Sequence, residues 1–287
     1  KEKKQNSKGF MATGPIQNMS GAQDPRIYTG SDAVELKYGY LAMIFSYIFF
    51  QILNLIVYLI GPPKLVSKVS EDRWRNLFIS WLHALICGTW DILCFILYPQ
   101  MLDDLITFIN YPTYLVVGIS TGYFLYDLID IILHKRVFMN WEVTLHHLAV
   151  ISMFWYNLHM RMCIGYNVVA LLAEVNSFFL HSRKLLQMMN VGFNHWFYKL
   201  IAFFNLVTFA FCRGWSLSKI TYGMWVEGFR VPTVYFRTLM GSMFIMNGIN
   251  PVLFWRLLKS DFLRSPEKKK LKVNGNNNVA ENHLKSN

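Results

Sequence analysis

Two histidines stand side by side in "WEVTLHHLAV", residues 141–150, at the start of an apolar stretch. Imidazole is expensive in hydrocarbon, and its ordinary titration lies close to neutrality. On a helix, His146 and His147 would diverge by about 100°. One can then face a cavity while the other meets a neighbouring helix or loop. Carboxylates accompany the pair. Asp127 and Asp130, in "YDLID", are spaced i,i+3 and share a helix face. Glu174 lies in "LLAEVNSFF". An acid beside an imidazole orients it and favours its charged form. A histidine held this way can act as a general base or a nucleophile. His146, His147, Asp127, Asp130 and Glu174 form the candidate catalytic set. His83, Asn176 and Asn250 interrupt other apolar stretches and are the candidates for the wall of a lipid-binding cavity.

These residues must be positioned by elements that suit a greasy chain. Its 287 residues are 54% hydrophobic and only 16% charged, against about a quarter charged in soluble domains. Long apolar runs recur from Tyr38 to Leu258, and a helix needs roughly 20 apolar residues to cross a bilayer. The chain reads as an all-α, polytopic membrane protein with about seven spans, near 38–60, 76–98, 114–133, 143–160, 162–181, 197–218 and 235–258. His159 and Arg161 interrupt spans four and five, where a tight turn is expected. Pro251 predicts a kink near Asn250 in the last span. A polar tail at 1–37 and a basic, disordered cytoplasmic tail at 263–287 flank the core. The chain begins at Lys1 with no initiator Met, so a processed or missing N-terminus is expected, and residues 1–37 show no secretory signal pattern.

Lysine and arginine set the orientation. Lys64, Lys68, Arg73 and Arg75 precede span two, Lys135 and Arg136 follow span three, and Arg183 and Lys184 follow span five. The loop at 99–113 has neither Lys nor Arg and carries Asp103 and Asp104. The C-terminus is thus expected in the cytoplasm and the N-terminus on the opposite side. The sequon Asn18-Met19-Ser20 would then face the glycosylating compartment. The net charge of +11 follows from this topology and requires no nucleic-acid partner. The cysteines Cys87, Cys94, Cys163 and Cys212 lie in or beside apolar runs and read as small packed hydrophobes. No metal-ligand spacing is present. The basic tail "RSPEKKKLK" suits anionic inner-leaflet lipids at about 1 kcal/mol per basic residue, or serves only as a topogenic tail.

At about 1.5 Å rise per residue, the candidate polar groups come from several spans yet fall roughly 5–12 Å inside the cytoplasmic boundary. Scattered tolerance of polar residues would favour no single depth. The competing reading is structural: such groups glue helices together or anchor their ends. Asp91 and Arg213 share a deeper level and are expected to form a structural ion pair, because an isolated charge there is untenable.

The stretches "GYFLYDLIDIILHKRVFMNWEVTLHHLAVISMFW" and "ALLAEVNSFFLHSRKLLQMM" resemble the TLC-domain family. That family includes the ceramide synthases and several lipid-homeostasis proteins. The likeness covers about residues 72–262. "GTWDILCFILYPQML" and "LLKSDF" bring it nearest to the subgroup of TLC domain-containing proteins 1 and 2. The resemblance implies a six-helix bundle around a central cavity, preceded by one additional helix. It implies regulation of phospholipid acyl composition and plasma-membrane fluidity, with membrane phospholipids or acyl lipids as partners and no cofactor. The alternative it implies is an acyltransferase of ceramide-synthase type in the endoplasmic reticulum, with acyl-CoA as co-substrate and His146 and His147 as the dyad. The aspartate-rich stretch of those enzymes is replaced here by Glu174 and Asn176. That departure argues against sphingoid N-acylation and leaves another acyl transfer open. A third reading is an accessory subunit of a channel or transporter.

Overall fold

The computed structural model describes residues 26–66, 70–139 and 141–261. The Asn18 sequon and the 263–287 tail lie outside the described residues. Among the described residues, eight α-helices make seven rods: α1 Leu36–Ile60, α2 Glu71–Leu97, α3 Tyr111–Leu133, α4 Trp141–Met160, α5 Ile164–Met188, α6 Trp196–Thr208, α7 Trp215–Glu227 and α8 Thr233–Asp261. Helices suit this composition because hydrocarbon offers no partner for backbone N–H and C=O groups, and an α-helix satisfies them internally. Leu36–Ile60, Glu71–Leu97, Tyr111–Leu133 and Trp196–Arg230 are each long and apolar enough to cross a membrane. The other rods carry more polar groups.

The rods begin and end where local chemistry dictates. Glu71 and Asp72 in the first turn of α2 complement its positive dipole end. The Asn110 side chain accepts from the Thr113 N–H, with Thr113 returning the bond, and caps α3. The expected tight turn joins α4 to α5, with Arg161 and Cys163 in the left-handed region at φ 53° and 55°.

Span six differs from its expected limits. Rather than stopping near residue 218, the rod continues to Arg230. Phe209–Gly214 forms a π-helical turn that joins α6 to α7 without a break. Ser216, Ser218 and Lys219 lower the hydropathy of α7 and hid this extension. The 1–37 tail also proves partly structured. Tyr28 donates to the Arg230 carbonyl at 2.8 Å, and Ser31 to the Arg161 carbonyl at 3.2 Å. Arg161 in turn pairs with Asp32 at 3.0 Å. Residues 26–35 are thus a strap across the outer end.

The core sits between α1, α2, α3 and α5. Phe50, Tyr114, Tyr123, Phe124, Tyr126 and Leu171 are all buried there. Backbones approach closely at small residues, the packing mode available where lipid tails are as apolar as leucine. A Cβ on Gly88 of α2 would lie 3.2 Å from the Val175 nitrogen of α5, and one on Gly122 of α3 would lie 2.2 Å from the Met43 carbonyl oxygen of α1. Hydroxyls bridge helices within this core: Tyr114 Oη donates to the Leu158 carbonyl at 2.8 Å, and Ser46 to that of Ile119 at 2.6 Å.

Candidate functional site

The polar residues of the inner third divide between two environments. The first is closed. Asp127 Oδ2 lies 3.3 Å from His147 Nδ1, and both side chains are buried. The contact is ionic proximity rather than an aligned hydrogen bond, since His147 Nδ1 has no hydrogen-bond partner. Asn76 of α2 donates to Asp127 Oδ1 at 2.9 Å and to Asp130 Oδ2 at 3.4 Å, so the i,i+3 acids do share a face. Asp130 turns towards the loop after α3, where it meets His134 at 3.2 Å and Arg136 at 3.4 Å. It anchors the end of α3 and lies away from the paired histidines.

The second environment is a cavity enclosed by α4, α5, the π-turn with α7, and α8. His146, Glu174, Arg213 and Asn250 line its inner end. Asn157, Asn167, Glu227 and Tyr235 line its outer part, and the wall between is mostly apolar, with Met153, Leu171, Ile220 and Leu239. From His146 to Asn157 along α4 is about 16 Å at 1.5 Å per residue. The free space is ≈ 120 Å³. Beyond the outer end, Arg230 grips Asp104 with bonds of 3.2 and 2.6 Å and reaches Glu227 at 3.3 Å. Tyr166 Oη donates to Glu227 in a short bond. Burial would raise the Asp104 carboxyl's pKa, but hydrogen bonds from Arg230, Thr107 and the Ile106 N–H outweigh it and hold that value below the ordinary carboxylate range.

The divergence expected of adjacent histidines is present. Their ring centroids lie 5.4 Å apart, with planes at 52°. His147 turns into the closed network, whereas half-buried His146 turns into the cavity. His146 Nδ1 lies 3.3 Å from Met246 Sδ. A thioether only accepts, so this contact suits the tautomer with the proton on Nδ1 and the lone pair on Nε2. His146 thereby offers a base or nucleophile at the inner end of the cavity.

Several expectations require correction. His83 is not a cavity residue. It stacks on Tyr123 at 3.7 Å, with Phe50 and Phe124 around it, and its Nδ1 lies 3.6 Å from Glu174 Oε2. Asn176 also faces elsewhere. It donates to the Asn205 carbonyl, the Asn205 side chain and Thr208, and ties α5 to α6. Asp91 and Arg213 form no ion pair. Both Asp91 oxygens are buried without a hydrogen-bond partner, while Arg213 donates to Asn250 Oδ1 at 3.3 Å and Ser177 Oγ at 3.0 Å. Equal depth fixes height along a helix axis and leaves the angle around it undetermined. The outer network of Asp104, Tyr166, Glu227 and Arg230 went unread, although Asp104 in a loop lacking Lys and Arg was its signal.

Fold and site together define a class: an all-helical membrane protein whose rods enclose an apolar cavity with polar ends. Comparison with known proteins then narrows the class. A family model described as the TLC domain matches residues 73–259. The chain is 34% identical over 226 residues to TLC domain-containing protein 2 of Danio rerio, covering 78% of this chain and 90% of that one. It is 30% identical over 194 residues to TLC domain-containing protein 1 of Homo sapiens, covering 66% and 76%, and 31% identical over 208 residues to human TLC domain-containing protein 2, covering 69% and 76%. The chain belongs to the TLC-domain family.

Proposed function

We propose that this protein handles single acyl chains in the cavity between α4, α5, α7 and α8, and through this regulates phospholipid acyl composition and the fluidity of the plasma membrane. The supporting observation is the cavity itself: a narrow apolar slot with His146, Glu174, Arg213 and Asn250 at its inner end. A hydrocarbon tail gains from burial along such a wall at about 25 cal/mol per Å² of apolar surface. The polar end orients whatever head group the tail carries. Ser242 of α8 lines the slot, so Ser242→Trp should obstruct it. Cells expressing the unmodified chain should show altered polyunsaturated content in phosphatidylethanolamine. Those expressing Ser242→Trp at equal protein level should not. An equal shift in both would refute acyl handling in this cavity.

A second reading, acyl transfer of ceramide-synthase type, is favoured by one contact. The Met246 sulfur suits the His146 tautomer with its lone pair on Nε2, and His146 lines the inner end of the cavity. Acyl-CoA would be the co-substrate. Purified protein supplied with acyl-CoA and either sphingoid bases or lysophospholipids should then form product detectable by mass spectrometry, and His146→Ala should abolish it. Product formation that survives His146→Ala removes this reading.

A further inference from the structure

Arg213 is a cation inside the bundle with no carboxylate among the described residues in ion-pair contact. Its Nη1 and Nη2 donate to Asn250 Oδ1 and Ser177 Oγ, both neutral. Its guanidinium lies 5.5 Å above the Phe209 ring, and its buried Nε has no partner. Those two bonds occupy two of the five N–H groups a guanidinium carries. Among the described residues, each acid of the inner third has another ionisable neighbour at closer range: Asp127 meets His147, Asp130 meets His134 and Arg136, and Glu174 meets His83. Glu174 shares the cavity wall with Arg213 and acts on it only at longer range, without ion-pair contact. Taking a charge out of water without a partner is costly, so a guanidinium in this position favours an anion brought from outside.

Three further features point to a ligand. Arg213 lies within the π-turn Phe209–Gly214, a distortion found frequently at functional sites. It also lines the cavity. Finally, Ser177, His181 and Lys184 follow one face of α5 at i, i+4 and i+7, from Arg213 towards the inner end. His181 Nδ1 is buried there without a hydrogen-bond partner.

We propose that Arg213 is the receptor for the anionic head of a single-chain lipid, a carboxylate or a phosphate, whose tail occupies the slot between α4, α5, α7 and α8. This deepens the acyl-handling reading and rests on it. The free Nε–H and the remaining Nη hydrogens suit two parallel bonds to such a head, the strong geometry for guanidinium with an oxyanion. The tail would then run outwards past Met153 and Ile220 towards Tyr235.

The test uses the full chain in phosphatidylcholine nanodiscs with diazirine-bearing palmitate, 1-palmitoyl lysophosphatidate and hexadecanol of the same chain length. Labelling of cavity-lining peptides is read by mass spectrometry, with unlabelled lipid as competitor. An anionic probe should label these peptides at concentrations at least tenfold below those needed for hexadecanol. The stronger of palmitate and lysophosphatidate identifies the head. Arg213→Gln should reduce the anion to the level of the alcohol while hexadecanol labelling persists, which also reports that the variant is folded. Arg213→Lys should restore part of the preference. Should Arg213→Gln fail to fold, the comparison of acid with alcohol on the unmodified chain still decides. Equal labelling by acid and alcohol overturns the anion receptor but leaves acyl handling standing. Absence of cavity labelling by all three overturns both.

Discussion

Glycine serves opposite ends in two parts of this bundle. Among α1, α2, α3 and α5, glycines are pinched between backbones: a Cβ on Gly118 would lie 2.9 Å from the Gly39 carbonyl oxygen, and one on Gly122 still closer to that of Met43. In the π-turn and α8, Cβ atoms on Gly214, Gly241 and Gly248 would meet nothing within 4 Å. Gly223, crossed by Tyr166, and Gly228, against Phe236, are the exceptions on that side, and both line the cavity. The first region is held by close approach, aromatic stacking and paired polar groups. In the second, Gly214, Gly241 and Gly248 are exposed on the outer surface, where no neighbouring helix presses on them.

The sharpest test of this contrast exchanges matched substitutions. Gly122→Ala forces α1 and α3 apart and should cost about 3 kcal/mol, the upper end of ordinary overpacking penalties. Gly248→Ala should be neutral or raise stability by up to about 1 kcal/mol, because alanine is the better helix former. Thermal unfolding followed by size-exclusion chromatography reads both, and similar melting shifts would break the distinction. A smaller difference is expected between polar and cavity contacts. Asp127→Ala strands Asn76 and His147 in the closed network and should cost about 1–3 kcal/mol. Met246→Leu, which keeps volume beside His146, should cost less than about 1.5 kcal/mol.

The smallest effect is expected at the outer network. Asp104 titrates below its ordinary value, so the unfolded chain binds its proton first as pH falls. Its stabilising contribution is complete above the ordinary carboxylate value of about 3.9 and disappears as pH drops through the lowered folded value. The pair is partly exposed, so solvent screening keeps the effect small. Arg230→Gln should flatten the acid limb of a stability-versus-pH profile between those two values. An unchanged limb would show that this network contributes nothing to stability.

The rods were legible because lipid solvation imposes a length and an apolar composition that a single sequence displays. The divergence of His146 and His147 and the shared face of Asp127 and Asp130 also followed, since helical spacing alone determines them. What stayed hidden depends on rotation about each axis and on contacts between distant segments. Asp91 and Arg213 agree in height and face different neighbours. His83 and Asn176 look like cavity residues by depth, but lie against Tyr123 and Asn205 instead. Span six appeared to end at its hydroxyl-rich stretch, yet α7 buries Ser216, whose hydroxyl bonds back to the Cys212 carbonyl. A hydropathy profile charges that hydroxyl in full, whereas the helix satisfies it locally.

The strap at residues 26–35 bears on the order of assembly. Residues 26–35 are synthesised before the Arg161 and Arg230 carbonyls they bond, so the strap docks only once the rods that carry those groups have been made.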